Sequence, residues 1–217
     1  MSVRRIAGRR IVILCEGDTE EIVVRHFVRR QWKLEGLDAV GLHTDNLQGS
    51  LTRIGTKATL YLEEKEVLGV FILIDLYGLT TVKHDAFDDV GRKVLRVQEW
   101  LRSTVKSVRL DEFHPCISVH EVEALILAEG GALSKRLSAP QIGPDPNAET
   151  RNFLNSPSSR LDDLFRVHKK RGYQKIMDGT PLFQHMHFDP VYRSCSYFRG
   201  FFEKLKDVAR SAIDNSS

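Results

Sequence analysis

Two short apolar runs, Ile11-Val-Ile-Leu14 and Leu68-Gly-Val-Phe-Ile-Leu-Ile74, constrain the fold more than anything else in the chain, because neither alternates with polar residues. A strand without a polar side has to be covered on both faces, which is the situation of a parallel sheet with helices above and below it. Both runs end in acid. Cys15 and Glu16 follow the first, and Asp75 follows the second. After Glu16, Gly17 permits a tight turn, Asp18 or Thr19 can cap a helix, and Glu20 and Glu21 suit the positive end of its dipole. That helix carries Val23, Val24, Phe27 and Val28 on one face and Arg25, Arg29 and Lys33 away from it. Glu16 is thereby placed at the carboxyl end of a buried strand, where open α/β folds bind ligands.

Further along, Leu37 to His43 reads as a weaker strand and Asn46 to Ser50 as a loop. Leu51, Ile54, Ala58, Tyr61 and Leu62 recur at helical spacing, as do Val90, Val94, Val97, Leu101 and Val105. Pro115 to Leu127 runs from a short strand straight into a helix that Gly130 and Gly131 can end. Strands alternating with helices predict right-handed βαβ units. The carboxyl ends of parallel strands share one edge, so Glu16, Asp75 and the pair Glu121 and Glu123 are expected to converge. The breaker-rich stretch from Ala139 to Asn147 marks a loop or linker. Beyond it, Leu161, Leu164, Phe165 and His168 suggest a short helix, and Phe198 to Ala212 a longer amphipathic one. The expected division is an α/β domain over 1–137 and a mainly helical region over 138–217 that completes the same unit.

At 217 residues, 41% hydrophobic and 28% charged, the chain can bury roughly 70% of its unfolded surface in one core. Lys and Arg total 32 against 29 Asp and Glu, a net charge of +3; overall charge therefore does not select nucleic acid, and a local basic face stays open. No apolar run approaches the ~20 residues of a membrane span, and Met1 to Arg10 leads into no signal-peptide core, so the chain reads as cytoplasmic. Cys15, Cys116 and Cys195 are odd in number and widely spaced, which indicates neither a disulfide framework nor a zinc knuckle.

Carboxylates gathered at one edge without Arg or Lys in the same motifs repel each other unless a cation sits among them. Oxygen-only ligands favour Mg²⁺ or Mn²⁺ over zinc. For Glu16 the bland reading is a turn cap, and for Asp75 a solvated strand end. Glu121 and Glu123, at i and i+2 on a helix start, would face different ways, so only one is expected as a ligand and the other as a favourable N-terminal charge. Gln184-His-Met-His-Phe-Asp189 reads as ordinary packing or surface histidines. There is no GxSxG nucleophile elbow and no Walker loop. Arg166, His168, Lys169, Lys170 and Arg171 with Tyr173 and Lys175 interleave cations with an aromatic, which suits phosphate contact and equally suits a solvated charged face.

Cys15-Glu16-Gly-Asp-Thr-Glu20 followed by a helix, with Leu73-Ile-Asp75 closing a later strand, resembles the Toprim domain of primases, topoisomerases and overcoming-lysogenization-defect nucleases. Ile74-Asp-Leu-Tyr-Gly78, Val119-His-Glu-Val-Glu-Ala-Leu125, Ser156-Pro-Ser-Ser-Arg160 and Gly172-Tyr-Gln-Lys175, with Cys195 and Phe198, resemble a bacterial domain-of-unknown-function family, number four-two-seven-six. That second resemblance spans nearly the whole chain. Together they imply a Toprim-like α/β fold with a mostly parallel sheet, a Mg²⁺-dependent nuclease role in defence against phage, and genetic pairing with an ABC-type ATPase. Toprim sites usually carry Asp-x-Asp, whereas Tyr77 stands at the second position here, so Glu121 or Glu123 would have to complete the site. The resemblance also makes Arg160 and Lys175 candidates for substrate phosphate.

The expected function is therefore phosphodiester hydrolysis of DNA or RNA, with Glu16, Asp75, Glu121 and Glu123 as catalytic and metal-holding residues and Mg²⁺ or Mn²⁺ as cofactor. Substrate phosphate would fall to Arg160, Lys169, Lys170, Arg171 and Lys175. The rival is a non-catalytic binding or regulatory subunit of an ABC-type ATPase. A receiver-like phosphoacceptor using Asp75 is disfavoured, because Glu16 stands without an adjacent acid. No membrane partner is expected, and self-association into a homo-oligomer stays open.

Overall fold

A computed structural model describes residues 8–76, 89–149 and 156–215. Strands β1 (Arg10–Cys15), β2 (Gly41–Asn46), β3 (Val67–Asp75) and β4 (Phe113–Ser118) form one sheet in the order β2-β1-β3-β4, with every neighbouring pair parallel. Between β1 and β2 run α1 (Asp18–Ile22), a π-helical stretch (Val23–Val28) and α2 (Arg29–Leu34). The next connections carry α3 (Ile54–Glu63) and α4 (Val90–Thr104). After β4 come α5 (Ala124–Glu129), α6 (Gly131–Leu137), α7 (Pro157–Lys169), α8 (Lys175–His185), α9 (Phe188–Ser194) and α10 (Ser196–Asp214). This is the α/β architecture expected from the two apolar runs, with a parallel sheet flanked by helices and a mainly helical C-terminal region.

The runs are apolar throughout because the sheet has two cores. Ile11, Ile13, Cys15, Phe71 and Leu73 face a large cluster built with Val24, Phe27 and Trp32 and with Phe165, Phe183, Phe198 and Phe202 from the C-terminal helices. Val12, Leu14, Val70, Ile72 and Ile74 face a smaller one built on Ile54, Ala58 and Leu62 of α3 and Val94, Val97 and Leu101 of α4. Removing a large aliphatic or aromatic side chain from water is worth about 1.5–3 kcal/mol, so alternate positions of β1 and β3 stabilise opposite layers. Cys15 and Cys195 are buried thiols and Cys116 a half-buried one, all three reduced.

Three local expectations need correction. The second strand begins at Gly41, not Leu37, because Leu37, Ala39 and Val40 are buried beneath the end of α2; the Trp32 indole donates to the Val40 carbonyl at 3.0 Å. Neither Asp18 nor Thr19 caps α1. Gly17 is the cap residue, and its N–H donates to Glu20 Oε2 at 3.0 Å, a helix-start acid reaching back. Finally, residues 119–123 are a bend and turn before α5 and not the start of a helix. Tyr77 and Gly78 lie outside the described residues.

Gly130 separates α5 from α6 with φ +66°, and a Cβ there would stand 2.6 Å from the backbone of Gly143 and Pro144. Strain from the left-handed conformation and a clash with immobile backbone act in the same direction. Gly130→Ala is expected to destabilise the protein by roughly 2–4 kcal/mol in urea melts, despite the better helix propensity of alanine.

Candidate functional site

The order β2-β1-β3-β4 means that the chain leaves β1 in one direction across the sheet and leaves β3 in the other. The helices after β1 pack on the face of the larger core, and α4 after β3 packs on the face of the smaller one. A crevice opens between connections that part to opposite faces, at the carboxyl ends of β1 and β3. Glu16 and Asp75 stand at that point.

Glu16 is fixed by its own backbone, its N–H donating to the Leu73 carbonyl at 3.2 Å and its carbonyl accepting from Gly49 N–H at 2.8 Å. Its Oε2 accepts from the Asp75 N–H at 3.4 Å. Burial and then the Asp75 charge push the Glu16 carboxyl above its ordinary range, against the opposing effects of that N–H and of Lys175. Glu20, a buried side chain, joins them: burial, with Glu16 and Asp75 adding to it, pushes its carboxyl up to about 7. Sequence reasoning assigned Glu20 only to the helix dipole. The available signal was its place three residues after Gly17, from which a Glu side chain turns back to the cap and so toward the strand end.

A second acidic group lies on the same edge. Asp75 pairs in register with Ser118 at the end of β4, and the turn that follows brings Glu121 and Glu123 onto one cation. Lys175 Nζ, at the start of α8, is 3.3 Å from Glu123 Oε1 and 3.7 Å from Glu121 Oε1. The expectation that these two acids diverge assumed a helix; the turn removes that geometry. Glu121 Oε2 also accepts from Ser158 N–H at 2.9 Å, near the start of α7. Glu123 is fully buried, and both its oxygens lack a hydrogen-bond donor within ordinary geometry, leaving the Lys175 ion contact. Burial pushes the Glu123 carboxyl up to about 7, Lys175 opposing and Glu121 adding. Burial by itself would lower the Lys175 ammonium, but Glu123, Glu121 and Glu20 together raise it above its ordinary value.

The donors suit a hard divalent cation in kind, since all are carboxylate oxygens. Among the described residues, no three Asp, Glu, His or Cys side chains converge on one ion position. Mg²⁺ commonly takes one or two carboxylates and keeps water in its other places, a demand that Glu16 and Asp75 can meet.

The basic residues separate into distinct environments. Arg160 pairs with Asp145 at 3.1 Å. Arg171 forms a two-pronged contact with the fully buried Asp178, at 2.6 and 2.7 Å, and lies over the Phe165 ring. Lys175 sits on Glu121 and Glu123, leaving Lys169 and Lys170 exposed at the end of α7. Lys170 adopts φ +59° there, and its Nζ donates to the Val167 carbonyl at 3.1 Å. Between α7 and α8 a polar cleft of about 320 Å³ is lined by Ser158, Ser159, Asp162, Asp163, Tyr173 and Lys175. The buried Tyr173 hydroxyl has no hydrogen-bond partner. His185 and His187 are exposed, in keeping with surface histidines.

The sequence model of a family described as "Domain of unknown function (DUF4276)" matches residues 15–206. No curated protein matches. Among solved structures, the C-terminal region of the OLD protein of Xanthomonas campestris pv. campestris, phased with platinum, aligns with a TM-score of 0.51 at 20% identity, covering 98% of this chain and 100% of that one. The same region phased with iodine gives a TM-score of 0.48 at 21% identity, covering 97% and 98%. The likeness is one of fold.

Two measurements test this description. Burial pushes the Glu20 and Glu123 carboxyls up from 4.5 to about 7 in the folded protein, so the folded state holds protons that the unfolded chain has released. Their contribution to stability is complete below the unfolded value and is lost as pH rises through about 7. Without added divalent cation, urea melts should show a loss on the order of 2 kcal/mol for each of the two carboxyls between pH 5 and pH 8, flattened in Glu20→Gln/Glu123→Gln. Arg171→Ala should lower the melting temperature measurably, since it strips one cation from the buried Asp178 and leaves Arg136 as its remaining partner. Lys169→Ala should be neutral.

Proposed function

The chain belongs to the DUF4276 family, and from that membership, its fold and its acidic edge we propose that it is a divalent-metal-dependent nuclease or nuclease subunit acting on DNA or RNA. The observation that carries this reading is the placement of Glu16 and Asp75 at the point where the chain departs from the sheet in opposite directions. Oppositely directed connections leave room there for a substrate phosphate and an ion. The OLD protein, whose C-terminal region has the same fold, suggests the same class of chemistry.

In this reading Glu16 and Asp75 would hold Mg²⁺ or Mn²⁺, water and substrate oxygen would take its other places, and Glu20, Glu121 and Glu123 would be the acids around it. When bound, such an ion supplies charge stabilisation at the phosphodiester and lowers the pKa of water. The chain's own carboxylates take the proton that the attacking water gives up as its oxygen bonds to phosphorus, the bridging P–O bond breaks, and the leaving oxygen gains a proton from solvent. Lys175, with Lys169 and Lys170 beyond the polar cleft, would attract the backbone phosphates. Arg160 and Arg171 are proposed to support the fold through Asp145 and Asp178 instead of reaching substrate. The assembly would work with an ABC-type ATPase partner in defence against phage, and residues 138–217 would complete one functional unit with the sheet. No helix of the described residues is long and apolar enough to cross a membrane.

A second reading, a non-catalytic binding or regulatory subunit of that ATPase, is favoured by one observation. Lys175 already offsets Glu121 and Glu123, so part of the acidic edge does not require an ion.

Two variants decide between the readings. Thermal melts with Mn²⁺ at a hundredfold excess over its dissociation constant should show stabilisation of ~2.7 kcal/mol in the parent and none in Asp75→Asn. Glu16→Gln should lower cleavage of mixed DNA and RNA substrates by roughly a hundredfold or more with the fold intact. Each protein is to be assayed with Mg²⁺ and with Mn²⁺, alone and with any co-encoded ATPase. A parent that cuts nothing in that assembly, or a variant that cuts equally well, transfers the assignment to the binding subunit.

A further inference from the structure

On the far side of the sheet edge from β2, a pocket of about 380 Å³ runs along β4 between α4 and α10. Its floor and walls are apolar, from Leu73, Val94, Ile117, Val122, Leu125 and Phe201. Its basic groups are Arg102 from α4, His114 from β4 and Lys204 from α10; Gln98, Ser118, Ser196 and Tyr197 are neutral polar neighbours, and the lining holds no acidic side chain. That size and composition are those of a small-molecule site, an apolar slot with a few convergent polar groups.

The sheet edge inside the pocket is closed to an added strand. Pro115 has no N–H to offer, and its carbonyl already accepts from Gln98 Nε2 at 3.0 Å, which blunts the edge in the way that keeps strands from pairing. A compact ligand fits where an extended peptide does not. Gly200 adds a second observation. It is an exposed residue of α10 at the pocket mouth, where glycine weakens a helix, and a Cβ built on it would meet nothing within 4 Å, so the mouth is open to solvent there. The space in front of it is open.

We infer that this pocket binds a small amphipathic carboxylate, its hydrocarbon body in the apolar slot and its carboxylate beside Arg102, Lys204 and His114. The charges favour an anion, since Arg102 and Lys204 stand on opposite walls without an acid between them. His114 acts as a neutral hydrogen-bonding group, because burial, with Lys204 and Arg102 adding to it, holds its imidazole down at about 4. The inference is independent of the acidic edge and of any nuclease activity.

Calorimetric titration of the full chain with decanoate, decanol and decylamine, each below its aggregation limit, tests it. Decanoate should saturate one site, with decanol and decylamine at least tenfold weaker. Gly200→Leu should fill the pocket and weaken decanoate binding more than tenfold while circular dichroism and melting temperature are retained. Lys204→Glu, at an exposed position, should weaken it about tenfold. The inference is overturned if decanoate does not saturate a site on the parent, if the folded Gly200→Leu protein binds as the parent does, or if decylamine binds equally well.

Discussion

The contact of Lys175 with Glu123 and Glu121 is the one on which the acidic edge depends. Glu123 is wholly buried, and an uncompensated carboxylate in that position would cost several kcal/mol. Compensation arrives from α8, more than a whole layer of chain later, and it fixes the first residue of that helix against the turn after β4. Glu121 makes a matching contact with the start of α7 through the Ser158 N–H. Two helix starts from the C-terminal region are thus held at the edge of the sheet by polar bonds, while Phe165, Phe183, Phe198 and Phe202 supply the apolar burial beneath them.

The two halves of the edge differ in how their charge is managed. Glu121 and Glu123 have a resident cation. Burial pushes the Glu16 and Glu20 carboxyls up, the Asp75 charge adding to both, and Lys175 opposes the shift at Glu16. The motifs Val119 to Leu125, Ser156 to Arg160 and Gly172 to Lys175 meet although they are far apart in the chain, the first contributing Glu121 and Glu123, the second the Ser158 N–H and the third Lys175 to one small set of polar contacts.

Much of this was legible in the sequence. The unbroken runs at Ile11 and Leu68 fixed a doubly covered parallel sheet, because no other setting satisfies both faces of such strands, and parallel strands must place their carboxyl ends together. Helix spacing over Ile54 to Leu62 and Val94 to Leu101 was equally readable. The misses were local and had tertiary causes. Trp32 draws Val40 under α2 and delays β2; Glu20 takes the Gly17 N–H and turns inward; a turn at 119–123 points Glu121 and Glu123 to one lysine. Arg171 looked like part of a basic run, and only the fold brings Asp178 beneath it. Neither partner choice nor inward rotation leaves a periodic trace.

The two cores also differ in when they can form. Among the described residues, the smaller one draws on side chains between Val12 and Val119, with only Tyr197 packed against it from later in the chain, so its contacts close modest loops. The larger one needs aromatic residues that come after position 160, and long-range contacts of that kind are slow to close. On a chain emerging from the ribosome, one face of the sheet can be sealed while the other waits, and Glu123 has no lysine beside it until α8 has been made. The part of the acidic edge at Glu121 and Glu123 is consequently completed last, by the same helices that complete the core, whereas Glu16 and Asp75 are brought together by the pairing of β1 and β3 alone.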